Sequence, residues 1–297
     1  MRAAHRLASS AALAVPLLLA GCSLISTTRR LPVPKAPAVV QTVTPEELIA
    51  DLNQRWDALQ TLTVKVSIQA SVQKPTEGLE KTMTTIPGII LLRKPEMLRV
   101  YGRAPVVGIP LFDMASDGKT FTLYIPSEKE AIKGSNSLHK KSANQMENMR
   151  PGFFFDAMAV RGLEPDELYS VTADSETVED PTRKHLLFTP EYILSIMRQK
   201  PGSRQLTPVR ILTFTRDDLL PYEQDVYDKE GNLETQAFYV GYRDFGSITY
   251  PSTITIERPL EAYQIVLTVL SVTENQTLKD DQFVVKVPEG TAIKNLD

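Results

Sequence analysis

Few residues in this chain are equipped for covalent or acid–base chemistry. Its 297 residues include one cysteine, Cys22, and three histidines, His5, His139 and His185. A single thiol allows no intrachain disulfide. The two later histidines lack a second histidine or ligand-spaced carboxylates nearby, so no metal-donor set emerges. The sequence contains no His-Glu-x-x-His, Cys-x-x-Cys, Gly-x-Ser-x-Gly or Gly-x-Gly-x-x-Gly. The acidic run Asp174-Ser175-Glu176 with Glu179-Asp180 lacks the spacing and the glycine of an EF-hand and reads as a solvated loop. Asp217-Asp218 and Asp280-Asp281 sit beside turn signals, where adjacent carboxylates rarely face each other as an acid–base couple. No catalytic residue, metal or cofactor is assigned, and the expectation is a binding protein and not an enzyme.

Cys22 has a context of its own. Leu19-Ala20-Gly21 precede it, Ala11 to Ala20 is almost wholly apolar, and Arg2 and Arg6 stand at the start. These are the parts of an export signal. The apolar run falls short of the roughly 20 residues needed to span a bilayer, and Pro16 interrupts it. The tetrapeptide ending at Cys22 resembles the bacterial lipobox, whose thiol is acylated before cleavage leaves cysteine as the first residue. The resemblance implies that residues 1–21 are removed and that acyl chains on Cys22 hold the protein to membrane lipid. One chain alone anchors only reversibly, so the resemblance implies more than one. Ser23, where aspartate would signal retention, implies the outer membrane, facing the periplasm. The formal net charge is −3, or −5 once Arg2 and Arg6 leave with the signal, which gives no general attraction for nucleic acid. Arg29, Arg30 and Lys35 either touch anionic headgroups or sit in a solvated linker.

Three segments must position whatever the anchor carries: signal 1–21, tether 22–44 and folded domain 45–297. Pro32, Pro34 and Pro37 keep the tether out of helix and central strand. Its free residues reach roughly 25 to 70 Å. Thr44, Pro45 and Glu47 form a helix start with a capping box. Leu48, Ile49, Leu52, Trp56 and Leu59 then recur on one face, predicting an amphipathic helix over 45–60. From Leu62 to Gln73 apolar and polar residues alternate strictly, the period of a half-buried strand. Further strands are expected at 83–92, 97–103, 112–116, 120–125, 169–173, 184–188, 192–199, 209–215, 222–227, 234–242, 248–257, 263–273 and 282–287. Asp117-Gly118 and Gly231-Asn232 mark tight turns, and Pro87-Gly88 marks a bulge or bend. Residues 144–163 break the strand pattern and read as one or two short helices over the sheet. The fold class is α+β, mainly β: an antiparallel meander covered by a few short helices.

Three stretches resemble the lipoprotein-localisation family, LolA and LolB. They are Arg93-Lys94-Pro95 with Leu98-Arg99-Val100; Ala115 to Lys119 with Phe121 and Tyr124-Ile125-Pro126, ending at Lys133-Gly134; and Tyr250-Pro251, Asn275 to Leu278, Asp281, Phe283 and Pro288-Glu289-Gly290. The similarity covers about residues 45–297. It implies a long curved sheet, an open half-barrel closed by short helices, with a hollow for acyl chains. The domain is longer than the compact carriers around 138–205, and an anchor at Cys22 fits a fixed receptor better than a soluble shuttle.

Two groups are candidate site residues. Val106, Val107, Ile109 and Leu111 belong to a nearly uncharged stretch between strands, which is either a membrane-touching tip or core folded under the helices. Met146, Met149, Phe153, Phe154, Phe155 and Met158, faced by Leu52 and Trp56, are either lining and lid of an acyl hollow or ordinary core. One helix face cannot hide three consecutive phenylalanines, so something else must cover part of them. The first expectation is an envelope protein binding the acyl chain of a lipid or lipoprotein, with a part in lipoprotein sorting to the outer membrane. The second is a non-catalytic interaction or sensor lipoprotein whose hollow is self-filled and whose partner is an envelope protein.

Overall fold

A computed structural model describes residues 40–74, 78–136, 150–179 and 186–296. Cys22, the signal, most of the tether, Met146 and Met149 lie outside the described residues. The described residues within 37–176 and 189–297 form one compact unit. The described residues of the other unit, 177–179 and 186–188, are strand ends.

The chain opens with helix α1 (Pro45–Ala58), two residues shorter than expected. Thr44 Oγ1 accepts from the Glu47 backbone N–H at 3.2 Å, and Glu47 Oε2 accepts from the Thr44 N–H at 2.8 Å, the reciprocal pair of a capping box. Strands β1 (Thr61–Lys74), β2 (Leu79–Thr82), β3 (Ile86–Arg93), β4 (Met97–Arg103), β5 (Pro110–Ser116), β6 (Thr120–Ile125) and β7 (Glu130–Ser135) follow. Helix α2 (Gly152–Met158) separates them from β8 (Glu167–Glu179), β9 (Leu186–Gln199), β10 (Leu206–Thr215), β11 (Pro221–Tyr227), β12 (Leu233–Phe245), β13 (Ile248–Arg258) and β14 (Tyr263–Glu274). A 3-10 turn at Asp280–Phe283 and β15 (Ala292–Asn295) end the chain.

All strands join one sheet in the order β15-β7-β6-β5-β4-β3-β1-β14-β13-β12-β11-β10-β9-β8, with β2 paired to β1. Hairpin neighbours pair antiparallel, whereas β15 runs parallel to β7. The order is linear, with β15 and β8 as its edges, so the sheet is open and not closed into a barrel. Its centre is β1, whose alternation is literal: Leu62, Val64 and Val66 are fully buried and Ile68 nearly so. They meet Ile90, Leu92, Leu98 and Val100 on one side and Ile254, Ile256, Ile265 and Leu267 on the other. Each such side chain stabilises the fold by about 1.5–3 kcal/mol when fully buried.

The opposite face of β3 and β4 is covered by the C-terminal segment. Leu278 and Phe283 pack on Leu91, with Met97 alongside. Arg93 donates to the Leu278 carbonyl at 2.7 Å, and Arg99 donates to the Gln282 carbonyl at 2.9 Å while gripping Asp113 with two bonds. The first and third stretches of the resemblance therefore touch.

Several expectations need correction. The strand expected over 282–287 is instead the end of the 3-10 turn and irregular chain, where Arg99 takes the Gln282 carbonyl and Phe283 turns in to pack on Leu91. The acidic run 174–179 is not a loop but the end of β8, an edge strand, where charge protects unpaired backbone from another chain. The strands expected at 184–188 and 192–199 are one, β9, running through Pro190. At Pro87-Gly88 the pairing with β1 stays in register; the irregularity lies at Lys65/Val66, against β14. Gly88 serves a close approach instead, since a methyl there would overlap Ile68 Cδ1.

Candidate binding cavity

The inner face of the sheet holds two helices by polar clamps. Lys94 donates to the Trp56 carbonyl at 2.5 Å and lies 4.0 Å above the indole, a cation–π contact. This partial desolvation lowers the Lys94 pKa. Asn275 Nδ2 caps the end of α1 through the Ala58 carbonyl at 2.9 Å. At the other helix, Tyr250 donates to the Met158 carbonyl at 2.6 Å and Gln224 to the Asp156 carbonyl at 3.0 Å. Beyond α2, Arg161 pairs with Asp156 at 2.6 Å and with Glu96 at 3.2 Å. Buried Arg210 donates to the carbonyls of Arg161 and Gly162, both at 2.8 Å, and to Glu167.

Between α1, the end of α2 and strands β10 to β13 lies a cavity of about 540 Å³. That is within the roughly 300–1,000 Å³ of small-molecule sites. Leu52, Trp56 and Leu59 line it from α1, and Met158, Ala159 and Val160 from the end of α2. Phe214, Ile248 and three tyrosines, Tyr239, Tyr242 and Tyr250, line it from the sheet side. Asp51, Arg55, Asp218 and Glu274 supply its charged, more exposed residues. Arg55 is paired with Asp51 at 2.7 Å.

The tyrosines differ in their bonding. Tyr250 is bound to Met158 as above, and Tyr242 donates to the Pro221 carbonyl at 2.7 Å. The Tyr239 hydroxyl is buried and has no hydrogen-bond partner among the described residues. Burial raises the pKa of all three phenols, so each stays a neutral donor across the physiological range. Sequence reading missed these residues. Tyr239 was legible as an inward position of an alternating strand. Tyr242, three positions later, lines the same cavity, and Gly241 between them adopts φ 68°.

The expected cavity residues divide. Leu52, Trp56 and Met158 line the cavity. Phe153, Phe154 and Phe155 are instead buried core: Phe153 stacks on Phe154 with ring centroids 4.4 Å apart, and Phe155 meets the Trp56 edge at 6.3 Å. They join the apolar cluster of the sheet, and two guanidiniums add to their cover, Arg258 5.3 Å from Phe153 and Arg161 4.9 Å from Phe155.

The apolar stretch between β4 and β5 is a projecting tip. Val106, Val107 and Ile109 are exposed, Val106 completely, while Leu111 is half-buried within β5. Backbone bonds from Ala104 N–H to the Ile109 carbonyl (2.7 Å) and from Gly108 N–H to the Ala104 carbonyl (3.0 Å) hold its shape. Val106 has φ 69°, a left-handed conformation that a β-branched residue seldom takes. Among the described residues no helix is long and apolar enough to cross a membrane, and no cluster of donors fits a metal ion.

No protein-family model and no curated protein sequence matches the chain. Solved structures do. A DUF1329 family protein from Desulfovibrio piger is 18% identical, with TM-score 0.51, over 80% of this chain and 95% of its own. A LolA superfamily protein from Nitrosomonas europaea is 16% identical, with TM-score 0.49, over 82% of this chain and 99% of its own. The architecture implied by the sequence resemblance, an open antiparallel sheet with short helices on its inner face, is the one observed. The fold is one shared with the Desulfovibrio piger protein. In this chain the cavity sits where α1 and the end of α2 approach β10 to β13. Identities this low speak to fold and leave function to the site.

Proposed function

We propose that this is a lipid-anchored protein of the bacterial envelope that holds an acyl chain, of a lipid or of another lipoprotein, in the cavity beside α1. The observation that carries this reading is the cavity itself, about 540 Å³ with Trp56, Leu52, Met158 and Ile248 in its walls. Each methylene buried there contributes about 0.8 kcal/mol, so affinity accumulates along a chain with little need for directional bonds. Methionine lets the wall follow an irregular tail. No reaction is catalysed; transfer follows from a difference in affinity between donor and acceptor.

In this reading residues 1–21 are removed, acylated Cys22 holds the protein to the outer membrane on its periplasmic side, residues 22–44 are the tether, and 45–297 the binding domain. Val106, Val107 and Ile109 touch the bilayer beside the anchor, where exposed apolar side chains gain by leaving water. Passing acyl chains in lipoprotein sorting is the role that fits an anchored receptor with such a tip.

The test is extraction of the protein purified from membranes in mild detergent. Mass spectrometry should return fatty-acyl species in stoichiometric amount, beyond those covalently bound to Cys22. Repeated preparations without them would defeat the reading. Separately, Cys22→Ser should release the protein from membranes into the soluble envelope fraction.

A further inference from the structure

We propose that Lys65 and Arg103, on the face of the sheet opposite the helices, hold the phosphate of an anionic phospholipid headgroup. The proposal rests on the reading above that the β4–β5 tip touches a bilayer, and it adds which lipid that contact selects. Alternate residues of a strand share a face. Lys65, Ile89 and Tyr101 lie in register across β1, β3 and β4, and alternate with the buried Val64, Val66, Ile90 and Val100 of the inner face. With Arg103, Pro87 and Leu270 they line a shallow pocket of about 210 Å³. Its lining carries two positive charges and no negative one, on a chain whose net charge is −3. Neither cation has a carboxylate partner among the described residues; Arg103 instead lies over the Tyr101 ring, 5.6 Å from its centroid. Asp113, the carboxylate opposite Tyr101 on β5, is already matched by Arg99 through bonds of 2.9 and 2.7 Å. The spot is therefore open to an anion, and the Tyr101 contact orders Arg103 in advance, which lowers the entropy lost on binding.

Size and apolar surroundings decide which anion. The volume is below the roughly 300–1,000 Å³ of sites that enclose a whole small molecule, so the pocket takes one group and leaves the rest of the ligand outside. The cations share the lining with Ile89, Pro87 and Leu270, the last 56% exposed. A free inorganic anion gains nothing from these apolar side chains, whereas the glycerol-ester part of a lipid removes them from water. The tip adjoins the site. Arg103 is the last residue of β4 and pairs with Pro110, and Ala104 to Ile109 between them form the tip. Apolar side chains seated below the headgroups place the cation at their base at the level of the phosphates, where lysine and arginine are drawn to anionic lipid. The tip thus supplies insertion, and Lys65 and Arg103 supply the choice of headgroup.

The experiment uses the mature-length chain, residues 22–297, carrying Cys22→Ser so that no acyl anchor contributes. Co-sedimentation is measured with vesicles of phosphatidylcholine alone and of phosphatidylcholine mixed with phosphatidylglycerol, at physiological ionic strength. The chain should bind the mixed vesicles at least about tenfold more tightly. Lys65→Gln and Arg103→Gln should each remove about fivefold of that preference, the worth of one basic side chain at an anionic surface, and leave binding to neutral vesicles unchanged. Both positions are exposed, so neither substitution reaches the core. Arg103→Lys should keep the preference, and so should Lys229→Gln in the β11–β12 turn. Inorganic phosphate, at an ionic strength matched with chloride, should not displace the chain. The proposal is overturned if Lys229→Gln costs as much as Lys65→Gln, which would make the attraction general, or if inorganic phosphate strips the chain from the vesicles, which would make the pocket a small-anion site. If the chain binds neither vesicle, the membrane contact of the tip fails as well; if it binds both alike, that contact stands and only the headgroup site falls.

Discussion

Beneath α2 the inner face of the sheet is filled, whereas beside α1 the neighbouring stretch of the same face is left hollow. Strands β12 and β13 serve both regions: Ala237, Ile254 and Ile256 belong to the filled core alone, whereas Tyr239 and Tyr250, at its margin, line the hollow with Tyr242. The difference is in what each ring meets. In the filled region aromatic side chains meet one another or a guanidinium: Phe153 meets Phe154 and Arg258, and Phe155 meets Trp56 and Arg161. Such contacts are worth about 0.5–1.5 kcal/mol beyond burial. In the hollow the phenols are tied to backbone carbonyls, and one is tied to nothing. Stability is concentrated in the first region, and capacity for a ligand in the second. Substitutions should therefore separate the two.

The largest effect belongs to the filled side. Phe155 is 1% exposed, and Phe155→Ala should cost about 3–5 kcal/mol, read as a lowered midpoint in urea denaturation. A cost near zero would mean that the α2 core is as loose as the cavity, and the contrast would vanish.

On the hollow side the effect should fall on binding. Ile248 lines the cavity and is only half-buried. Ile248→Trp should fill space without dismantling core, changing stability by less than about 1.5 kcal/mol while weakening the binding of an apolar fluorescent dye at least tenfold. Unaltered binding would show that the cavity near β13 is not the one occupied.

A third place, the β4–β5 tip, is neither filled nor hollow. Val106 is fully exposed at φ 69°. A left-handed conformation costs a residue other than glycine roughly 1–2 kcal/mol. Val106→Gly should then raise stability by about 1 kcal/mol, set against the greater unfolded-state freedom of glycine. It should also weaken vesicle binding by the apolar tip. Unaltered vesicle binding would remove the tip from the membrane contact.

Much of this was legible in the residues, and the reasons differ by element. The capping box at Thr44 and Glu47 and the strict alternation of β1 are local signals backed by tertiary packing, so they read directly. The three phenylalanines of α2 announced burial, yet whether they lined a hollow or closed a core depended on residues distant in sequence, the apolar sheet cluster together with Arg258 from β13 and Arg161 from the segment after α2. No local pattern carries that information. The segment of the 3-10 turn at Asp280–Phe283 is likewise docked by Arg93 and Arg99, nearly two hundred residues earlier. The Tyr239 orphan is the extreme case, because being unpartnered is a property of everything around a residue.

The smallest predicted effect uses pH to address regions separately. Asp117, in the turn between β5 and β6, accepts backbone hydrogen bonds from Thr120 at 2.7 Å and Lys119 at 2.8 Å, which hold its carboxyl below the usual carboxylate range. A lowered folded-state pKa contributes stability above the unfolded value of about 3.9, and this is lost as pH falls through the folded value. Asp117→Asn should flatten that acid slope slightly. The cavity phenols act at the other end. Burial raises their pKa, so their contribution is intact below about pH 10 and is lost as pH climbs past it. Tyr239→Phe should flatten the alkaline slope and leave the acid slope alone, and Asp117→Asn should do the reverse. If either substitution changed both slopes, the β5–β6 turn and the cavity wall would be coupled, and the hollow would not be the locally bonded unit that its phenols describe.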